Sequence, residues 1–309
     1  MKDYAAPIPR RPLVGQIAIC ATGILLGLIP LFKSFLDLSC NCTEIVLIRI
    51  ILAFVAISCI LGVLSISGRL KNRITIKPKH WPIFFGYGSI SLAAVYYFYI
   101  KSLDYTTATV SITTLFLACP LTALVVNLAT GEEEYRFRKV FYILVMAAGC
   151  FLINFQGAGN NKLHFWGIAC AFISGSCYGL YGYFGKKLVK HYDTTVMTFW
   201  QFFIALVSVL AISILAGNVP ARLIVFTLMD TKEIMAGLGL GLISTFLPYL
   251  LYSYGLKQGV EATTASALSL LEAISCSLVA FIFLGENITI IQAIGIVIVV
   301  AFSTALAKA

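Results

Sequence analysis

Ten long apolar runs follow one another along this chain, and they constrain its fold more than any other feature. The first run, Leu13 to Phe32, contains no charged residue. A helix of about 20 apolar residues crosses the roughly 30 Å core of a bilayer and satisfies its own backbone hydrogen bonds there. Nine further transmembrane helices are predicted over residues 44–66, 81–100, 105–128, 138–155, 165–185, 194–216, 233–254, 260–283 and 287–306. The sequence therefore predicts an all-α integral membrane protein with ten transmembrane helices.

The basic residues of the chain are explained by membrane topology. Apolar residues make up 60% of the 309 positions and charged residues 11%, which excludes a soluble enzyme or a nucleic-acid-binding domain despite the net charge of +9. The segments predicted on one side of the membrane hold 16 Lys and Arg, and those on the other side hold 5. Because basic residues favour the cytoplasmic side, we expect a multi-pass protein of the cell membrane with cytoplasmic N- and C-termini.

The chain offers little for catalysis or metal binding. Seven of its nine cysteines fall inside apolar runs, and its three histidines lie at the ends of the predicted helices. An intramembrane enzyme would need converging Ser and His, paired Asp or a metal cluster, and neither Asp nor His occurs in the interior of a predicted helix. We therefore expect no enzymatic activity, no metal and no cofactor.

The chain contains an internal repeat. Residues 15–32 match residues 167–184 at five of 18 positions, and residues 86–103 match residues 239–256 at seven of 18. The two alignments use offsets of 152 and 153 residues, so a single duplication explains both and predicts two halves of five helices. Because five is odd, the second half enters the membrane from the opposite side, and such an inverted repeat is typical of transporters.

The sequence resembles the drug/metabolite transporter superfamily, specifically its EamA-like members. The resemblance is carried by TEIVLIRIILA in the second helix, by SLDYTTATVSITTLFLACPLTALVVNLATGEE, and by GLKQGVEATTASALSLLEAISCSLVAFIFLGE as its counterpart in the second half. It implies two five-helix repeats, residues 13–155 and 165–306, around a central solute cavity. It also implies that the carrier transports its solute without ATP hydrolysis. Family members commonly have Pro after the Glu of the ninth helix, whereas Ala273 follows Glu272 here, so a bend at that point is left open.

Two charged residues lie within predicted helices. Glu272 lies near the middle of the ninth helix, where a carboxylate must be paired, neutral or in contact with water. It could bind a cationic group of the solute, carry a proton, or serve as a hydrogen-bonded structural group. Arg49 in the second helix could reach the outer interface with its long side chain or bind a carboxylate of the solute.

Polar and aromatic residues of the second half are further candidates for the solute site. Gln201 occupies the position equivalent to Arg49, and Trp200 beside it offers an aromatic face. Tyr178 and Tyr181 in the sixth helix could line the same cavity. Packing alone would also explain these residues. Pro120 near the middle of the fourth helix predicts a kink, which would free the carbonyl of Phe116 at the depth of the cavity.

Two repeated motifs have specific interpretations. Tyr96 with Tyr99, and Tyr249 with Tyr252, lie one helical turn apart at equivalent positions of the repeats, and they are either aromatic residues at the membrane interfaces or two gates. The GxxxG motifs let helix backbones approach closely, and we expect them to pack helices together. These motifs are formed by Gly23 with Gly27 and by Gly175 with Gly179.

These features predict a secondary transporter for small organic solutes. Amino acids or related amine-bearing metabolites are the expected substrates, and alternating access is the expected mechanism of their transport. Protons could drive their export or exchange. A facilitative uniporter and a flippase for a lipid-linked or amphipathic metabolite are the alternatives. The expected partners are the solute, membrane lipid and protons, in a monomer or homodimer with no nucleic acid. Glu132, Glu133 and Glu134 are predicted to form a solvated loop with the basic residues that follow them.

Overall fold

The computed structural model of the chain describes residues 11–36, 42–67, 74–106, 108–154, 164–215, 231–283, 285 and 287–307. Ten long helices cross the bundle within these ranges. In the first half they are α1 (Pro12–Leu26 and Ile29–Ser34), α2 (Cys42–Ile66), α3 (Trp81–Phe85, Gly86–Ala94 and Val95–Leu103), α4 (Ala108–Ala129) and α5 (Phe137–Ile153). In the second half they are α6 (Phe165–Leu188), α7 (Thr194–Leu215), α8 (Thr231–Leu238, Gly239–Phe246 and Leu247–Lys257), α9 (Ala262–Leu268 and Leu271–Phe283) and α10 (Ile290–Ala307).

The prediction of an all-α membrane protein with ten transmembrane helices is confirmed. Among the residues that the structure describes, eight helices are long and apolar enough to cross a membrane by length and composition. The other two are α5, which has 17 residues, and α6, in which Gly, Ser and Tyr dilute the apolar residues. We call the end of the bundle that carries Arg136, Lys139, Lys186 and Lys190 the basic end.

Two helices are interrupted. In α1 the helix stops at Gly27 and Leu28, just before Pro30, which has no N–H to bond the carbonyl of Leu26. In α9 the interruption falls at Ser269 and Leu270. The N–H groups of Leu270 and Glu272 there bond to carbonyls only three residues back, at 3.1 and 3.0 Å. The helix is therefore interrupted at this point without a proline at position 273.

A widened helical turn occurs at equivalent places in the two halves. Gly86–Ala94 in α3 and Gly239–Phe246 in α8 are both π-helical. Each is crossed by the second helix of the other half, so that Ile204 of α7 lies against Gly88 and Leu52 of α2 lies against Gly241. A Cβ atom added to Gly88 would lie 2.8 Å from the Cβ of Ile204. Since both partners in each crossing are repeat equivalents, the two halves pack on each other reciprocally, as an inverted repeat requires.

Hydrogen bonds between the halves follow the same symmetry. Thr22 of α1 donates to the carbonyl of Pro248 at 3.1 Å, and its equivalent Ser174 of α6 donates to the carbonyl of Val95 at 2.7 Å. All four residues are offset by 152 or 153 positions from their counterparts. The repeat seen in the sequence is thus present in the tertiary contacts as well as in the order of the helices.

The GxxxG glycines lie where helices come closest. Gly23 and Gly27 of α1 face α9, and a Cβ atom at Gly23 would lie 3.1 Å from the backbone nitrogen of Glu272. Gly175 and Gly179 of α6 face α4, and a Cβ atom at Gly179 would lie 3.1 Å from the nitrogen of Ala123. These glycines therefore hold the interrupted helix α9 and the proline-containing helix α4 in place.

Candidate functional site

A cavity of about 360 Å³ lies between the two halves of the bundle. It extends from Glu272 and Tyr178 in the interior to Lys33, whose side chain is exposed at the end opposite the basic end. Both halves contribute to its wall. Its polar and aromatic lining consists of Lys33, Arg49, Tyr96, Tyr99, Phe116, Tyr178, Tyr249 and Glu272.

Glu272 is placed by the interruption of α9. It lies in the first turn of the segment Leu271–Phe283, where the positive end of the helix dipole favours a carboxylate. Close packing of α1 at Gly23 fixes this turn, and the side chain of Glu272 lines the cavity. The interrupted helix therefore presents an acidic group to the cavity.

Arg49 is held by the widened turn of α8. Its Nε donates to Oγ1 of Thr245 at 2.9 Å, and its Nη2 donates to the carbonyl of Ser244 at 3.3 Å. Pro248, four residues after Ser244, has no N–H to offer that carbonyl in an α-helical register, and the guanidinium supplies a donor to it. Arg49 is 6% exposed and lines the cavity, so its side chain points inward and does not reach the outer interface.

The tyrosines of α3 and α8 meet in the middle of the bundle. The hydroxyls of Tyr96 and Tyr249 lie 3.5 Å apart, and the guanidinium carbon of Arg49 lies 5.5 Å from the centre of the Tyr96 ring. Tyr99 lines the same cavity, whereas Tyr252 is 3% exposed and contacts the hydroxyl of Ser266 at 3.4 Å. Tyr96 and Tyr249 therefore share one depth, which does not fit a position at two opposite membrane interfaces.

A second polar cluster lies beside the cavity, and its members are fully buried. The hydroxyl of Tyr87 donates to that of Tyr181 at 2.7 Å and lies 2.9 Å from the hydroxyl of Ser253. Tyr181 in turn donates to Oε1 of Gln201 at 3.1 Å. We call these four residues the hydroxyl cluster. Tyr181 also packs edge-on against Tyr249, with ring centres 5.4 Å apart, so the cluster adjoins the cavity wall.

The remaining candidates take other positions. Trp200 lies at the basic end, where its indole N–H donates to the carbonyl of Ile74 at 2.6 Å and its ring packs against Trp81. Pro120 lies within α4, which runs through it without interruption, and Phe116 lines the cavity one turn away. The structure thus brings Glu272, Arg49 and Tyr178 together and separates Trp200 from them.

The acidic triplet after α4 is more than a solvated loop. The side chain of Glu133 is 1% exposed and forms an ion pair with Lys139, which also pairs with Glu261 at 2.6 Å. Glu133 accepts a hydrogen bond from the N–H of Thr263 at 3.1 Å and lies 3.9 Å from Lys186. These ion pairs join the two halves of the chain and close the basic end of the bundle. We call Glu133, Lys139, Lys186 and Glu261 the ion-pair network.

The ionisation of Glu261 reflects this network. Burial by itself would raise the pKa of Glu261, but the hydrogen bond and charge of Lys139, with the charges of Lys186 and Arg136, lower it below its ordinary value. Only Glu134 of the acidic triplet matches the solvated loop expected from the sequence, because its side chain is exposed.

A second cleft of about 300 Å³ lies on the other side of Tyr96. It is lined by Tyr97, Ile100 and Val209, together with the ion pair between Lys101 and Asp104. Since Tyr96 lines both spaces, its ring separates the cleft from the central cavity.

Sequence analysis missed several residues that hold this site. Ser244 and Thr245 bind Arg49, yet the sequence shows Ser244 only as a match to Ser91 and gives Thr245, which corresponds to Leu92, no match between the repeats. Lys33 lies just after the predicted first helix, which ends at Phe32, yet it lines the cavity. The absence of an N–H at Pro248 was the available signal for Ser244, because a membrane helix must satisfy each freed carbonyl by another donor.

Comparison with known proteins decides the family. The sequence profile of the EamA-like transporter family matches residues 13–155 and 165–306. The chain belongs to the EamA-like transporter family. Its general function is therefore that of a membrane transporter.

Similar proteins support this assignment at the same general level. An uncharacterized transporter of Archaeoglobus fulgidus is 25% identical over 197 residues, which cover 64% of this chain and 66% of that protein. The uncharacterized transporter YwfM of Bacillus subtilis is 23% identical over 240 residues, covering 77% of this chain and 78% of YwfM. A solved crystal structure that is 18% identical superposes with a TM-score of 0.76 and covers 96% of this chain and 97% of the other, which shows that the fold is shared.

Proposed function

We propose that the protein is a secondary active transporter that exports or exchanges small organic solutes, such as amino acids or related amine-bearing metabolites. The observation that carries this proposal is that Glu272 and Arg49 line one cavity between the two halves. A carboxylate and a guanidinium in one cavity suit a solute with an ammonium and a carboxylate group. The rings of Tyr96, Tyr99 and Tyr249 add faces for cation–π contacts and for apolar parts of the solute.

Proton coupling is proposed for Glu272. Its carboxyl group lines a cavity whose other charged side chains, Arg49 and Lys33, are basic, and a carboxylate at this depth is expensive unless it is paired. Alternate binding of a proton and of the solute's ammonium group to this carboxylate would couple the two fluxes. In the cell membrane we propose that the basic end faces the cytoplasm, because basic residues concentrate there.

The test is counterflow of labelled amino acids, amines and nucleoside-type metabolites in proteoliposomes, with and without an imposed pH gradient. Flux that follows the gradient in the wild type and loses that dependence in Glu272→Gln supports a proton-linked carrier. Glu134→Gln is the matched control because its carboxylate is exposed. Flux that ignores both the gradient and Glu272→Gln would leave a uniporter or exchanger, and wild-type flux for no solute would contradict the proposal.

The cleft beside Tyr96 favours one second candidate, movement of an amphipathic or lipid-linked metabolite. An elongated molecule could place its polar part in the central cavity and its apolar part against Tyr97, Ile100 and Val209. Flipping of a labelled lipid-linked sugar in the same vesicles, together with no flux of water-soluble solutes, would favour this candidate over the first.

A further inference from the structure

The repeat equivalents of the cavity residues define a second set of side chains. By the offsets of 152 and 153 residues, Arg49 corresponds to Gln201, Ile29 to Tyr181 and Leu26 to Tyr178. Glu272 corresponds to Cys119, and Tyr99 to Tyr252. Tyr96 and Tyr249 correspond to each other, as Leu26 and Tyr178 do, and all four line the present cavity, so the second set denotes the other equivalents.

This second set is collapsed in the present structure. Tyr181 and Tyr252 are 1% and 3% exposed, and Gln201 and Cys119 are 0% and 1% exposed. The hydroxyl groups bond to one another, as in the contact from Tyr87 to Tyr181, but Nε2 of Gln201 is buried and has no hydrogen-bond partner among the described residues. An unpartnered buried amide is costly unless another state of the protein supplies it with a partner.

The collapsed set lies on the path from the cavity to the basic end. Cys119 lies one helical turn beyond Phe116 along α4, on the side that leads to Asn127 and Glu133. The ion-pair network then closes the bundle, since Glu133 of the first half binds both Lys186 and the N–H of Thr263 of the second half. Opening the basic end requires these contacts to break and would expose the collapsed set to water.

We propose that the hydroxyl cluster, with Tyr252 and Cys119, forms a second solute-binding chamber when the bundle is open at the basic end. This proposal rests on the transport function proposed above. An inverted repeat can exchange the conformations of its halves, so the second set takes the role that the cavity residues have now. None of these residues is charged at neutral pH, whereas the present cavity contains Arg49, Glu272 and Lys33. The chamber therefore takes the hydroxyl, amide or aromatic part of the solute and leaves its charges to Arg49 and Glu272.

The experiment uses the accessibility of Cys119. Three full-length variants each keep a single cysteine, Cys119, Cys150 or Cys276, and are labelled in proteoliposomes with a membrane-impermeant maleimide. Cys276 lines the present cavity, and Cys150 is buried in α5 outside both sets. Glu133→Gln is added to each variant because it weakens the closure of the basic end even when no solute is present. The opening of the bundle is thereby tested separately from solute flux.

With Glu133→Gln, we expect maleimide applied from the basic end to label Cys119 at least about tenfold faster, because a bias of the conformational equilibrium raises the open population in proportion. Cys150 should stay unlabelled, and Cys276 should label more slowly from the opposite end. Any solute that shows counterflow should then protect Cys119. Labelling of Cys119 no faster than Cys150 would overturn the proposal, and labelling that a transported solute does not slow would overturn the binding chamber. If no solute shows flux, the proposed transport function fails, while the labelling rates still decide whether the second set opens.

Discussion

The hydroxyl oxygens of Tyr96 and Tyr249 lie 3.5 Å apart, and the two tyrosines occupy equivalent positions of the two repeats. Residues related by a two-fold axis can touch each other only close to that axis. The pair therefore marks the centre of the bundle, where the present cavity meets the hydroxyl cluster. On the transport path proposed above, the solute must move past these rings.

The Tyr96–Tyr249 contact predicts a coupled effect on exchange. Tyr96→Phe and Tyr249→Phe should each slow counterflow by up to about fivefold, since a neutral hydrogen bond contributes about 1 kcal/mol. The double variant should be no slower than either single variant, because both substitutions remove the same contact. Tyr254→Phe, at a tyrosine that is 38% exposed, is the control. Multiplicative slowing in the double variant would show that the two hydroxyls act independently.

The hydrogen bonds of Arg49 predict a loss of stability on conservative substitution. Arg49→Lys cannot donate to Thr245 and the Ser244 carbonyl in the same geometry, so we expect a loss of about 1–3 kcal/mol and a lower melting temperature in detergent. Lys187→Arg at the end of α6 is the matched reverse substitution and should have little effect. An unchanged melting temperature for Arg49→Lys would mean that these bonds contribute nothing net.

The ion-pair network predicts unequal roles for neighbouring acids. Glu133→Gln leaves Lys139 and Lys186 short of a buried partner and should destabilise the closed bundle by about 3 kcal/mol or more. Glu132→Gln removes only the pair with Lys190, whose side chain is 52% exposed, and should change stability by less than about 1 kcal/mol. Thermal unfolding of both variants in the same detergent measures the difference. Equal losses for the two would contradict the closing role of Glu133.

The lowered pKa of Glu261 predicts a dependence on acid. Because the folded protein holds this pKa below the ordinary value of 4.5, the ion pair stabilises the fold above that pH and is lost as the pH falls through the folded-state pKa. The melting temperature should therefore fall as the pH drops below about 4.5, and more steeply than in Glu261→Gln. Glu134→Gln is the control, because its carboxylate is exposed. Its melting temperature should decline with pH in parallel with that of the wild type, and the decline that remains in Glu261→Gln comes from other groups. Identical profiles for wild type and Glu261→Gln would rule out this contribution.

The closest helix contacts predict which glycines tolerate a methyl group. Gly179→Ala would bring its Cβ atom against the carbonyl of Cys119 on the backbone of α4, so the helices must separate and we expect loss of folded protein and of flux. The Cβ atom of Gly62→Ala in α2 meets no atom of the described residues within 4 Å, and the variant should be neutral or stabilised by up to about 1 kcal/mol, as helix propensity favours Ala. Size-exclusion profiles and melting temperatures of the two variants compare them directly. A well-folded, active Gly179→Ala would show that this crossing is less tight than the contacts indicate.

The sequence by itself determined the helices and their symmetry. Apolar runs of membrane length are a local property, so ten helices could be located to within a few residues. The internal repeat could also be detected in the sequence, because the duplicated glycines and tyrosines keep their spacing. It also indicated Glu272, since a carboxylate in an apolar run is rare enough to notice.

Only the tertiary structure decided which residues share a site. Arg49 binds Thr245, 196 positions away, and Glu133 binds the N–H of Thr263, 130 positions away, and no local pattern encodes such distances. The interruption of α9 also arose without the expected proline, because tertiary packing against Gly23 holds a turn that local propensity does not favour. Hydropathy places a residue at a depth in the membrane, whereas the direction in which a side chain points depends on how helices from both repeats pack around it.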